Sequence, residues 1–325
     1  MCPFWDVAQL CLLYCCHEGK HLVAELGYEP YDVVTTESVS KTLEGAVHAA
    51  GAARLARIVG DTTAGAPSPR KFEALAKSYT NLFDATTGFF RGRDSRGAWR
   101  GDFEPLRLCN AHTLGGDFTE ANAWQYLWHV QHDVPGLMEL LGGRDKFLAK
   151  LETLFTLPSE TPGLPPLDDV SGLIGQYAHG NEPSHHVAYL FALAGEPKRT
   201  QELVRELTGE KFYSLKPEGI CGNEDGGQMS AWYLFSVLGF YPVDPSSGEY
   251  VLGAPQVEKA IIRSTPTPNT YTSLTIIARG LSEKNKYVKS VTWNGVPIMN
   301  GKIRHADLVK GGELVFEMTD GEEIL

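Results

Sequence analysis

From Ser38 to about residue 240 the apolar positions recur at helical spacing; beyond Pro242 they fall into short runs with strand character. Ser38–Val59 carries Val39, Leu43, Ala46, Val47, Ala50, Leu55 and Ile58, an approximate stripe along one helix. Pro69 fits the opening position of the next helix, which runs through Phe72, Leu75, Ala76 and Tyr79. The pattern predicts further helices over 122–130, 144–155, 184–194, Pro197–Leu207 and 227–238, with Gly142-Gly143 as a break. Two connections, 84–118 and 156–180, are long and irregular, a feature of functional loops in compact domains. Strands are expected at 250–252, 257–262, 274–278, 288–293, 302–304 and 314–317, with Asn294-Gly295 as a hairpin turn.

These elements predict a mainly α chain followed by a small C-terminal β region. Paired helices with loops gathered at one end suggest an α/α toroid. The expected boundaries give an unassigned segment 1–27, a helical region 28–242 and a β-rich region 243–325.

Composition narrows the partners more than the fold. The 325 residues are 42% hydrophobic and 10% aromatic, enough for one large core or two ordinary ones. A formal charge of −11 argues against binding a nucleic-acid backbone, which requires clustered Lys and Arg. It is neutral toward an uncharged ligand such as a glycan. No run reaches the roughly 18 apolar residues of a membrane span, so no membrane partner is expected. The apolar stretch 8–16 lacks a preceding Lys or Arg and makes a poor signal peptide; the chain reads as soluble. Cys2, Cys11, Cys15 and Cys16 crowd the start, while Cys109 and Cys221 stand alone, and no paired CxxC spacing points to zinc.

The chemistry concentrates in three acidic turns, each just before a helical pattern: Thr119-Glu120-Ala121-Asn122-Ala123-Trp124-Gln125-Tyr126, Gly180-Asn181-Glu182-Pro183-Ser184-His185-His186, and Gly222-Asn223-Glu224-Asp225-Gly226-Gly227-Gln228. Carboxylates interleaved with amides and aromatic rings are what glycosidic bond cleavage uses: an acid, a base and flat polar surfaces for a ring of hydroxyls. Each has a plainer reading. Glu120, after Thr119 as a cap, is equally a helix-dipole partner. Asp225 is equally the cap of the helix that follows. Glu182, held out of helical geometry by Pro183, reads either as a cap or as a buried carboxylate orienting hydroxyls or a hard cation. His179, His185 and His186 raise zinc, but adjacent histidines diverge on a helix and no HExxH occurs. Core or substrate-contact histidines remain the alternative, as they do for His129 and His132.

The runs GNEPSHH, GNEDGGQMSAWYLFSVLGFYPVDP and TEANAWQY resemble family 92 of the glycoside hydrolases, calcium-dependent exo-acting α-mannosidases that invert the anomeric centre. Tyr31-Asp32, the run 37–44 and Thr87-Gly88-Phe89-Phe90-Arg91 are similar to further family blocks, and the likeness extends over about 28–262. The resemblance implies a partial (α/α)6 barrel and Glu120 as general acid. It implies Asp225 as general base, with Asn223 where a second aspartate is common. It also implies Glu182 near the terminal sugar and a Ca²⁺ ion. Asn181, Trp124, His185 and Gln228 are the expected substrate-binding residues. The implied reaction is removal of terminal, α-1,2-linked mannose from glycans, with the two carboxyls about 6.5–9.5 Å apart to admit water. It further implies a secreted protein and a β-sandwich preceding the barrel, in a chain roughly twice this length. Two other readings stay open: a catalytically inactive fragment or paralogue that keeps carbohydrate binding, and another barrel enzyme such as a glycan phosphorylase or lyase.

Overall fold

The computed structural model describes residues 20–60, 69–110, 112–113, 115–162, 167–267, 270–322 and 324. The N-terminal cysteines lie outside these residues, as does most of the segment 1–27, of which helix α1 (Lys20–Leu26) is described. Two compact units divide the chain between Leu167 and Asp168. Helices dominate as far as Leu238 and sheets follow. Among the described residues no helix is long and apolar enough to cross a membrane.

In the first unit, α2 (Ser38–Val59) buries Val39, Leu43, Ala46, Ala49 and Ala53, a stripe at three- and four-residue spacing. The stripe runs out before the helix does: Leu55 and Ile58, expected on the buried face, are 59% and 82% exposed. Helix α3 (Pro69–Leu75) starts on its proline and buries Phe72. Strands β1 (Phe83–Asp84) and β2 (Phe89–Phe90) form a hairpin closed by Gly88 at φ 72°. The loop 84–118 is therefore less structureless than its composition suggests, with further antiparallel bridges at Arg93–Trp99 and Cys109–Ala121. Inside it, buried Asp117 accepts from Ser38 Oγ, the Gly92 amide and the Arg100 guanidinium. This network satisfies a buried charge that would otherwise be costly. Helix α4 (Ala123–Tyr126) is followed by α5 (Val134–Leu140) and α6 (Arg144–Thr156). The predicted 122–130 helix stops at Tyr126, and α5 is a helix the apolar pattern does not announce. Its N-cap is Asp133, whose side chain accepts from the Gly136 amide.

In the second unit, β3 (Leu173–Ile174) pairs with β4 (Tyr177–Ala178). The single helix expected over 184–194 is a succession of two 3₁₀ turns, Glu182–Ser184 and Val187–Tyr189, and a short helix α7 (Leu190–Leu193). Helices α8 (Pro197–Leu207) and α9 (Gln228–Leu238) follow. Strands β5 (Phe240–Tyr241), β6 (Glu249–Leu252) and β11 (Lys302–Arg304) make a three-stranded sheet. Strands β7 (Lys259–Thr267), β8 (Thr270–Arg279), β9 (Tyr287–Trp293), β10 (Val296–Pro297) and β12 (Gly312–Thr319) make a five-stranded sheet in the order β10-β9-β12-β8-β7.

The strand rule of alternate burial holds on β8 through Leu274, Ile276 and Ala278, and on β12 through Leu314, Phe316 and Met318. On β9 the inward residues are Val288 and Val291, an odd spacing. A bulge explains it: Ser290 pairs with Glu317 but Val288 pairs with Met318, so Lys289 is the extra residue that restores the inward face. Between β9 and β10, Asn294 and Gly295 both hold positive φ (48° and 80°), the two-residue turn the sequence predicts.

Candidate functional site

Of the eight residues singled out by sequence, Glu120 and Trp124 lie in the first unit. Asn181, Glu182, His185, Asn223, Asp225 and Gln228 lie in the second.

Glu120 is half-buried, with left-handed backbone at φ 46°. It does not begin a helix. Ala121 makes a two-hydrogen-bond bridge with Cys109 (2.9 and 3.1 Å), and the cap of α4 is Asn122, not Thr119. The Asn122 side chain accepts from the Gln125 amide (3.1 Å), and the Gln125 side chain accepts from the Asn122 amide (2.9 Å). This reciprocal cap consumes two buried amides that the sequence offered as sugar contacts. The strained Glu120 backbone is held by the elements on both sides of it, a pattern found at functional residues. Trp124 is half-buried and edge-on to Phe89, with ring centroids 4.9 Å apart. Lys150 places its ammonium 3.6 Å from the Phe89 ring centre and 4.9 Å from that of Trp124. Burial there pushes the Lys150 amine down to about 8. Nothing in the sequence singles out Lys150, one of two lysines on α6.

The other two acidic turns are brought together by their leading glycines. A Cβ on Gly222 would lie 3.1 Å from Gly180 Cα and 2.5 Å from Ser171 Oγ, and one on Gly180 would lie 2.0 Å from the same hydroxyl. Gly222 also holds φ 78°. Both motifs therefore start with glycine for close backbone approach, and the second also for a left-handed turn.

From this contact the side chains converge. His185 is 2% exposed; its Nε2 lies 3.0 Å from the His179 carbonyl and its Nδ1 3.1 Å from Gln228 Nε2. Gln228 Nε2 also donates to the Tyr241 hydroxyl (3.5 Å). The indole of Trp232 donates to the His185 carbonyl (2.9 Å). His179, fully buried, lies between the hydroxyls of Tyr177 and Tyr213 (2.9 Å each) and edge-on to Trp232, with centroids 4.3 Å apart. All four ring nitrogens of His179 and His185 are engaged by protein groups, leaving no lone pair for zinc. Burial pushes His185 down to about 4, against an opposing pull from the His179 carbonyl and the Asp225 charge, and pushes His179 well below the usual histidine range.

Around this buried cluster sit the carboxylates. Asp225 is exposed and has left-handed backbone (φ 51°) in the 3₁₀ turn Asp225–Gly227. The capping alternative belongs to its neighbour: Glu224 accepts from the Ser230 amide through Oε1 (3.3 Å) and from the Gly227 and Met229 amides through its carbonyl. Asn223 is exposed and donates to Asp169 Oδ1 (3.1 Å). Glu182 is exposed, not buried as expected, and Asn181 rather than Glu182 has the extended backbone (φ −129°, ψ 135°). Burial raises the Tyr241 hydroxyl, and the Glu182 charge adds to it. Sequence reasoning passed over Tyr177, Tyr213 and Tyr241. Only Tyr241 carried a signal, standing inside the long motif that follows Gly222.

Among the described residues no three Asp, Glu, His or Cys side chains gather into a metal cage. The donors that surround the cluster are nonetheless hard oxygens: the Glu182 and Asp225 carboxylates, and Gln228 Oε1, since Gln228 uses Nε2 for its hydrogen bonds. That donor type suits Ca²⁺, whose six to eight ligands commonly include water and ligand oxygens.

The family model for the glycosyl hydrolase family 92 catalytic domain matches residues 13–320. A family 92 α-mannosidase of Bacteroides thetaiotaomicron, solved in complex with mannoimidazole, is 37% identical with a TM-score of 0.83, over 93% of this chain and 39% of that one. A family 92 inverting mannosidase of the same organism is 33% identical with a TM-score of 0.78, over 93% of this chain and 40% of that one. An uncharacterized secreted glycosidase of Arthroderma benhamiae is 27% identical over 92% of this chain and 38% of the relative. The chain thus spans about two fifths of the length of these relatives.

Proposed function

The chain belongs to glycosyl hydrolase family 92, and from that premise we propose that it serves to remove terminal α-linked mannose, α-1,2-linked in the first instance, from glycans with inversion. The observation that carries this reading is the joining of two acidic turns, Glu182–Ser184 and Asp225–Gly227, over one buried His–Gln–Tyr cluster. In this reading Asp225 takes a proton from water as it attacks the anomeric carbon. Its exposure lets water reach it, and its backbone is held by the Gln228 amide, which donates to its carbonyl. Glu120 donates a proton to the departing oxygen. Single displacement of this kind needs both proton transfers, each worth about 10²–10⁴-fold.

His185, neutral at physiological pH, orients Gln228, and Gln228, Asn181 and Asn223 provide amide groups for sugar hydroxyls. Trp124 provides an aromatic face. Glu182, with Gln228 Oε1, would hold a calcium ion; when bound, the ion supplies positive charge against sugar hydroxyls. The helical region is then part of an (α/α)6 barrel, its partner a β-sandwich of the kind the family resemblance implies. Secretion follows by analogy with the fungal relative.

Hydrolysis of α-1,2-mannobiose tests the reading. We expect β-mannose as the first-formed product by NMR, and at least a hundredfold loss of kcat, about the lower limit for one proton-transfer group, in Asp225→Asn with Tm unchanged. Near-normal turnover in that variant refutes the base assignment. Calcium is tested apart from activity: a Tm that rises with added Ca²⁺ and falls on chelation supports the ion site, and a Tm indifferent to both removes it. The span of two fifths of the relatives favours one second reading, glycan binding without turnover. Mannobiose binding by calorimetry with no product over days would select it.

A further inference from the structure

We propose that His179 and Tyr213 are positioning residues that fix the Asp225 turn from beneath, by anchoring Gln228 and Met229 at the start of α9. The hydrogen bonds determine where each proton sits. The Met229 carbonyl can only accept, so the Tyr213 hydroxyl donates to it (3.2 Å). That uses the only proton on Tyr213, so its oxygen accepts from His179 Nε2–H (2.9 Å). His179 Nδ1 then carries the lone pair and accepts from the Tyr177 hydroxyl (2.9 Å). The His179 carbonyl accepts from His185 Nε2–H, and His185 Nδ1 accepts from Gln228.

One residue thus reaches two consecutive positions of α9, its ring through Tyr213 to Met229 and its carbonyl through His185 to Gln228. In the ring arm every donor points toward the helix that carries the acidic turn, whereas in the carbonyl arm the donors run from Gln228 on that helix through His185 to His179. Tyr213 arrives at this point on a tight return: the Cys221 amide donates to the Phe212 carbonyl (3.0 Å), and Tyr213 bridges Ile220 immediately before the Gly222 motif. Both ends of the Asp225 turn are therefore held by the same cluster, Gly222 against Gly180 and Met229 against Tyr213. Asp225 is exposed, its carbonyl accepts from the Gln228 amide, and its position is set by these two ends.

The alternative is a buried histidine that merely satisfies its own polar groups. Two substitutions separate the cases, because Tyr177→Phe and Tyr213→Phe each delete one hydroxyl from His179 and keep the ring, yet it is the Tyr213 hydroxyl that donates to α9, at the Met229 carbonyl. In Tyr213→Phe, amide hydrogen exchange across residues 224–230 should rise about tenfold or more. In Tyr177→Phe it should stay within about twofold, reporting local opening of this segment alone. Equal exchange in the two variants overturns the proposal. So does a ¹⁵N spectrum of the unmodified protein showing Nδ1–H tautomers for both buried histidines, a measurement that needs no variant to fold. The catalytic consequence rests on the reading of Asp225 as base: kcat on α-1,2-mannobiose should fall about tenfold or more in Tyr213→Phe with KM little changed, since small displacements of a reacting group cost rate before binding. Should exchange respond as expected while Asp225→Asn keeps its turnover, the assignment of the base fails and the anchoring of the turn stands.

Discussion

His179 and His185 are neutral in the fold because burial outweighs every group that favours their charge. Asp225 pulls the other way on His185, but from the solvent side. This has a consequence for stability with a definite sign. The unfolded chain binds protons on both residues near pH 6.5, while in the folded chain His185 resists until about pH 4 and burial holds His179 well below the usual histidine range. Between those limits the unfolded state carries more protons, so stability falls as pH falls, by up to about 1.4 kcal/mol per pH unit for each histidine. Asp84 and Asp133, held below the usual carboxylate range chiefly by their hydrogen bonds against the opposing effect of burial, add loss of the same sign only below about pH 4. Urea unfolding at intervals from pH 7.5 to 4.5 should show the decline beginning near pH 6.5. A flat profile across that window would mean that the two rings take up protons as readily in the folded protein as in the unfolded chain. The sequence placed His185 near a substrate and left His179 undecided between metal and core. Residue type cannot reveal which ring nitrogens are already spoken for, and here that fact decides the matter.

At the scale of elements, the contact of Gly180 with Gly222 does what no single helix does, joining two motifs 42 positions apart. Gly222→Ala confronts both a left-handed backbone and a Cβ 2.5 Å from Ser171 Oγ. Left-handed strain costs about 1–2 kcal/mol and overpacking about 1–3 more. We expect a Tm several degrees lower and loss of turnover together; Gly248→Ala, in left-handed backbone (φ 68°, ψ 19°) with open space around its Cβ, should show only the strain. Equal losses in the two would remove the role of the contact.

Elements with a clear chemical start were legible: Pro197–Leu207 begins on its proline, and Asn294-Gly295 closes its hairpin. The segment 184–194 was not, because nearly all of its side chains are buried. A run buried on every side shows no period, and a helix broken into 3₁₀ turns reads the same as one that is continuous. The cap of α4 was expected three residues early, at Thr119, although its signature was present: Asn122 followed by Gln125 is a capping pair.

For the molecule as a whole, the family model spans residues 13–320, yet the two residues assigned to proton transfer lie in different units of the chain. Chemistry can separate their roles without any distance between them. Donation of a proton to the departing oxygen matters when that oxygen belongs to a sugar, a poor leaving group. It matters little for a dinitrophenyl α-mannoside, whose phenolate departs unaided. Removal of a proton from attacking water is needed in both cases. Glu120→Gln should therefore lose about 10²–10⁴-fold on α-1,2-mannobiose and stay near the unmodified rate on the dinitrophenyl substrate, whereas Asp225→Asn should lose comparably on both. The reverse pattern would exchange the two assignments. Loss on both substrates in Glu120→Gln would demote Glu120 to a structural role, one that its left-handed backbone between the Cys109–Ala121 bridge and the Asn122 cap makes a real competitor. The leaving-group dependence separates these outcomes because a distorted fold slows every substrate, while a missing acid slows only those that need one.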